Sequence, residues 1–186
     1  MKKEAEHNHP SEGSSPAITL DPVLANELLA FVHDHALPKE AIKQAFSPAF
    51  YGWYLKAQDA IPLSVFDNDH LSSLEVVVKY LHEDLEYRFV RIAKLLNRSA
   101  KTIWATYANT LRKMPQRFEP RKSVFFLPLS LFHDRSYSPL EVVVRYLKDD
   151  CRQTYHQIAV LLNRDDRTIW TTYHRMKNKQ NKQRGR

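Results

Sequence analysis

Residues 95–107 read LLNRSAKTIWATY and residues 161–173 read LLNRDDRTIWTTY. The same thirteen-residue frame occurs twice, 66 positions apart, with its differences confined to particular places. The repeat continues outward without a gap. IPLSVFDNDHLSSLEVVVKYL at 61–81 aligns with LPLSLFHDRSYSPLEVVVRYL at 127–147, and 25 of 54 aligned positions are identical. Unrelated amphipathic helices share a pattern but not that many identities, so the chain carries two copies of one module.

Each copy predicts three helices behind a short extended arm. The first helix opens on a capping box, Ser72 to Glu75 in one copy and Ser138 to Glu141 in the other, with Pro139 at the first helical position. Val77, Tyr80 and Leu81, like Val143, Tyr146 and Leu147, then fall on one face at helical spacing. A second helix carries Phe89, Ile92, Ala93 and Leu96, or Tyr155, Ile158, Ala159 and Leu162, and its alanine permits a close crossing. Asn97 and Asn163 tolerate the left-handed backbone that ends a helix, and Ser99 and Asp165 are N-caps for a third. Helix, short turn and helix in this order make a helix-turn-helix, which DNA-binding proteins use to set the second of those helices in the major groove.

The third helices divide by face. At about 100° per residue from Ile103, the side chains Thr106, Tyr107, Thr110 and Leu111 lie inward, and Lys101, Ala105, Ala108, Asn109 and Arg112 outward. The second copy sets Ile169, Thr172 and Tyr173 inward, and Arg167, Thr171, His174, Arg175 and Asn178 outward. Shared positions are mainly inward and differing ones mainly outward: one scaffold is used twice with two exposed faces. Exposed faces also drift freely, but these outward residues are types that bond base edges or phosphates. Trp104 and Trp170 fall on the flank, where packing against the preceding turn and Arg98 or Arg164 competes with a groove-edge contact. Thr102 and Thr168 can bond either the backbone or a phosphate.

The runs IAKLLNRSAKTIWATY and IAVLLNRDDRTIWTTY resemble the helix-turn-helix of sigma-factor region four and of LuxR-type regulators, over about 45 residues of each copy. In that family the turn commonly holds Gly where this chain has Asn97 and Asn163. The resemblance implies that Lys101, Thr102 and Ala105, with Arg167, Thr168 and Thr171, occupy the positions that read DNA. It does not extend to the other sigma-factor regions or to a phosphate-receiving domain.

Composition narrows the partners. The net charge of +7 is unevenly spread: residues 1–60 hold five Lys/Arg against eight Asp/Glu, residues 61–114 eight against six, and residues 115–186 fifteen against seven. A basic region of this kind suits a polyanion such as DNA, and the second copy is therefore expected to bind more strongly. No stretch approaches the roughly 18 apolar residues of a membrane span, and MKKEAEHNHPSEGSSP lacks a signal peptide's apolar segment, so a cytoplasmic, nucleoid-associated protein is expected. Cys151, the single cysteine, excludes an internal disulfide and reads as a packed thiol. Without clustered partners, His7 and His9 do not make a metal site. No cofactor motif, paired carboxylates, phosphate-binding Gly-rich loop or nucleophile motif is present, so no enzyme is expected.

The expected organisation is all-α: a disordered leader at 1–16, a short helical segment at 17–60, helix-turn-helix modules at 61–114 and 127–179, a linker at 115–126 and a basic tail at 180–186. The helical segment is expected to pack against the first module or to mediate self-association. Pro115 to Ser123, extended, spans at most about 30 Å, comparable to the roughly 34 Å between half-sites one DNA turn apart. The DNA-binding residues expected are Lys101, Thr102, Trp104, Ala105, Asn109 and Arg112 in the first copy. Those in the second are Arg167, Thr168, Trp170, Thr171, His174 and Arg175. The expected function is sequence-specific binding of double-stranded DNA by a transcriptional regulator, the alternative being a module that docks onto RNA polymerase or another regulator.

Overall fold

The computed structural model describes residues 21–57, 59–119 and 121–185, and among them the chain is all-α in class, with one two-stranded sheet. The expected disordered leader, with His7 and His9, lies outside the described residues. Three helices come first: α1 (Pro22–Asp34), α2 (Lys39–Ala45) and α3 (Pro48–Ala57). They are followed by strand β1 (Ile61–Pro62), helices α4 (Ser73–Glu83), α5 (Phe89–Leu95) and α6 (Ala100–Lys113), and strand β2 (Phe126–Leu127). Helix α7 (Pro139–Arg145) runs into a π-turn at Tyr146–Asp150, and α8 (Tyr155–Leu162) and α9 (Asp166–Arg184) complete the fold.

Local chemistry sets these boundaries. Ser72 and Ser138 each accept the amide hydrogen of the glutamate three residues on, and Glu75 and Glu141 reach back to the serine amides at 2.8 and 2.7 Å. Both capping boxes therefore form, and Thr154 with Gln157 makes a third at the start of α8. Asn97 and Asn163 sit in the left-handed region at φ 50° and 49°, which turns the chain sharply from α5 into α6 and from α8 into α9. Glu86 and Arg152, also aligned between copies, share that region at φ 55° and 59° and turn the first helix of each unit into the second.

The two copies fold as three-helix units, but they are not separated by a free linker. β1 and β2 pair antiparallel with Ile61 opposite Leu127, and these two residues are aligned in the repeat. Antiparallel pairing centred on equivalent residues relates the units by an approximate two-fold axis. The arms accordingly cross: the 3-10 turn Leu63–Phe66 packs on α8, the 3-10 turn Leu129–Phe132 packs on α5, and α4 packs on α7. One continuous core includes Ile61, Val77, Ile92 and Ile103 from the first copy and Leu127, Val143, Ile158 and Ile169 from the second. The segment 115–126 thus differs from the linker expected. Phe125 and Phe126 are buried in it, because an apolar arm has more to gain in a shared core than as a spacer in water.

Two further expectations are corrected. The helical segment docks on the second copy rather than the first alone: Asn26 accepts the Phe126 amide at 2.6 Å and donates to Tyr146 Oη at 3.0 Å, while Asp21 pairs with Arg152. Its link to the first copy is Asp59, which accepts from Tyr87 and pairs with Arg91. The tail is not a separate extension, since α9 continues without a break to Arg184.

Candidate nucleic-acid interface

The third helix of each unit is fixed against the first by the same pair of polar ties. Near one end, Lys113 donates to Glu75 and Lys179 to Glu141, each at 2.8 Å. Two turns earlier, within the helix, Tyr107 donates to Glu83 at 3.0 Å and Tyr173 to Asp149 at 2.7 Å. The capping-box glutamate therefore does two jobs, closing its own helix and anchoring another. Burial would raise Glu75 and Glu141, but the lysine and serine contacts outweigh it and hold both carboxyls below their usual range. On the same faces of these helices, Ile103 and Ile169 are fully buried, and Thr110 and Thr172 are buried as well.

This anchoring turns the opposite face outward. Lys101, Thr102, Trp104, Ala105, Asn109 and Arg112 are all exposed on α6, and Arg167, Trp170, Thr171, Arg175 and Asn178 on α9. Thr168 and His174 are half-buried. Ala108 and Leu111 depart from the helical-wheel reading. Ala108 is half-buried, whereas Leu111 is 39% exposed because it lies on the flank of the buried arc. Trp104 and Trp170, for which packing was the plainer expectation, stand 60% and 50% exposed. His174 stacks on Trp170 with ring centroids 3.9 Å apart, while Trp104 has no ring partner among the described residues. Thr102 is drawn into its own helix start, donating its amide to Ser99 Oγ at 3.1 Å; Thr168 donates its hydroxyl to Asp165 at 3.0 Å. Asp165 stands at the N-cap position without a side-chain bond to the backbone.

The charge around the two turns is unequal. From Arg88 to Lys113 the chain holds seven Lys/Arg and no Asp/Glu, a net of +7; the aligned Thr154 to Lys179 holds five and two, a net of +3. Arg91 and Lys113 are ion-paired, but Arg88, Lys94, Arg98, Lys101 and Arg112 have no carboxylate partner among the described residues. In the second unit Arg164, Lys177 and Lys179 are paired with Asp69, Asp149 and Glu141, leaving Arg167 and Arg175. His156 lies 3.3 Å from Asp166, in the first turn of α9. The positive excess counted over 115–186 therefore does not gather at the second unit's turn.

Arg88, Lys94, Arg98 and Arg135 were not among the residues read as DNA-binding. The signal in the sequence was the carboxylate-free run from Arg88 to Lys113; Arg135 had none, since only the crossed arms carry it to the other unit. Cys151 is buried, as its reading as a packed thiol required, and burial pushes the thiol up to about 11. Among the described residues no three His, Cys, Asp or Glu side chains gather as a metal site requires, and no helix is long and apolar enough to cross a membrane. Compared with protein-family models, curated proteins and solved structures, the chain finds no match.

Proposed function

We propose that the chain is a tandem helix-turn-helix protein that binds double-stranded DNA sequence-specifically as a transcriptional regulator, with α6 and α9 as its recognition helices. The observation that carries this reading is the combination on α6: a helix tied at its middle and its C-terminal end along its inner face, an exposed outer face of Lys101, Ala105, Asn109 and Arg112, and a stretch from Arg88 to Lys113 that holds seven cations and no carboxylate. Lys and Arg supply the sequence-independent attraction, and the outward side chains of the two helices supply discrimination. The two-fold relation of the units gives the chain the logic of a dimer on a palindrome, so its site is an inverted repeat with unlike halves. The half-site spacing follows from the β1–β2 pairing rather than from the length of residues 115–126. The first unit makes the stronger contact.

Fluorescence anisotropy of the full chain tests this, using duplex from upstream of its own gene and a scrambled duplex at about 50 and 200 mM salt. Preference for one duplex that persists at the higher salt is the expected result. Equal binding of both, lost together with salt, would refute sequence reading. Docking onto RNA polymerase or another regulator is the second reading, favoured by the exposure of Val124 and Val160, 64% and 67%, beside the crossed arms. Protein capture by a chain that leaves both duplexes unbound would establish it.

A further inference from the structure

The approximate two-fold sets each unit's turn against an arm residue of the other unit. At the second turn, Asp69 of the first copy accepts from Asn163 at 3.3 Å and from Arg164 at 3.4 Å. Repeat alignment places Arg98 where Arg164 stands and Arg135 where Asp69 stands. At the first turn both corresponding positions are therefore arginine. The arm is fastened there by His133, whose Nδ1 lies 3.2 Å from the Leu95 carbonyl oxygen, two residues before Arg135 and three before Arg98. Arg98 Nε is buried and has no hydrogen-bond partner among the described residues. Burial, with the Arg135 charge added to it, lowers the Arg98 pKa below its ordinary value.

Arg98 Nε is a buried donor within the field of the exposed Arg135, and a buried polar group costs free energy that an acceptor would return. The group suited to both arginines is anionic. It must also accept several hydrogen bonds from planar donors, which a tetrahedral phosphate does well. Ser99, next to Arg98, caps the fourteen-residue α6, and neither arginine has a carboxylate partner among the described residues. The second unit instead fills the equivalent position with Asp69 and opens α9 on Asp165 and Asp166.

We propose that Arg98 and Arg135, contributed by opposite units, clamp a phosphate group beside the turn before α6, and that Asp69 closes the counterpart beside α9. Resting on the DNA-binding reading, the clamp holds one backbone phosphodiester and fixes the first unit's register on the duplex, while the second unit engages without that anchor.

The experiment compares wild type, Arg135→Asp and Arg135→Ser as full chains in two assays. Anisotropy with the upstream duplex is measured across a salt series, and the Arg98 Nε–H resonance is followed by NMR as inorganic phosphate is added. Arg135→Asp, which copies the second unit's ion pair, should weaken duplex binding about tenfold at low salt and lower the slope of log K against log salt by roughly 0.9. Arg135→Ser should fall between, and phosphate should shift the Arg98 signal in wild type but not in Arg135→Asp. Should Arg135→Asp leave affinity, slope and the phosphate response unchanged while Lys101→Ala with Arg112→Ala still weakens binding, the clamp is wrong and the DNA reading stands. If no duplex binds but phosphate saturably shifts Arg98, the clamp stands as a free-phosphate site and the DNA reading fails. Circular dichroism melting guards the comparison, and if Arg135→Asp fails to fold, Arg135→Ser alone decides it.

Discussion

The turn from α5 to α6 and the turn from α8 to α9 have the same backbone and unequal electrostatics. Both pivot on a left-handed asparagine, and both lead into a helix held by a tyrosine and a lysine. The first carries the unpaired cations Arg88, Lys94, Arg98, Lys101 and Arg112 and feels the charge of Arg135; the second is partly offset by Asp69, Asp165 and Asp166. Duplication therefore kept what folds the unit and changed what surrounds it. Backbone geometry and core contacts constrain each other tightly, whereas an exposed charge can change sign at little cost in stability.

The strongest way to break this comparison is through the core. Ile103→Ala and Ile169→Ala should each cost about 2–5 kcal/mol, and each should lower one shared unfolding transition, because the two residues belong to one continuous cluster. Two separate transitions by circular dichroism and tryptophan fluorescence, with only one moved by each variant, would show that the units fold independently. Next comes charge: Lys101→Ala with Arg112→Ala should weaken duplex binding about tenfold more than Arg167→Ala with Arg175→Ala. Equal losses in anisotropy would mean that the local imbalance around the turns does not govern binding.

The capping boxes should show the symmetry that the charges lack. Ser72→Ala and Ser138→Ala are each expected to cost about 1 kcal/mol in urea denaturation, and a large difference between them would expose an asymmetry in the scaffold itself.

Acid should separate the units by a smaller margin. Asp149 is raised by burial, but the Tyr173 and Lys177 contacts prevail and hold it below its ordinary pKa, as the corresponding contacts do for Glu141 and Glu75. A depressed carboxyl contributes stability that is present above its unfolded pKa, about 4, and is lost as pH falls through the lower folded value. Asp84 runs the other way: burial and Glu83 raise it, so protonation relieves a cost as pH falls. The second unit, with Asp149 and Glu141 both depressed, should be the more acid-sensitive. Hydrogen exchange between pH 5 and 3 should accordingly show α9 loosening before α6. The smallest effects belong to the left-handed turns, where Glu86→Gly and Arg152→Gly should each leave stability unchanged or raise it by up to about 1 kcal/mol by thermal melting.

Much of the local structure was legible because its causes lie within a few residues. A serine three residues before a glutamate specifies a helix start, and an asparagine tolerates the left-handed turn that follows a helix; both hold in both copies, whereas the cap after the asparagine forms at Ser99 and not at Asp165. Wheel geometry placed Ile103 and Ile169 inside, but misplaced Leu111 on the flank, where degree of burial depends on a neighbouring helix. The linker and tail were misread for a related reason. Polar and proline-rich residues from Pro115 to Ser123 look like a spacer, and only the pairing of Phe126 with Pro62 shows where the chain is held.

By itself, the sequence determined a duplicated three-helix unit, its helix starts and turns, its inner faces and its overall positive charge, since these follow from short-range spacing and composition. Only the tertiary structure decided that the copies share one core across a two-fold, that their arms cross, and that Arg98 lies in the field of Arg135 where Arg164 pairs with Asp69. Those contacts join residues far apart in the chain, and their energies depend on which charges and apolar surfaces the fold brings together, which no local pattern encodes.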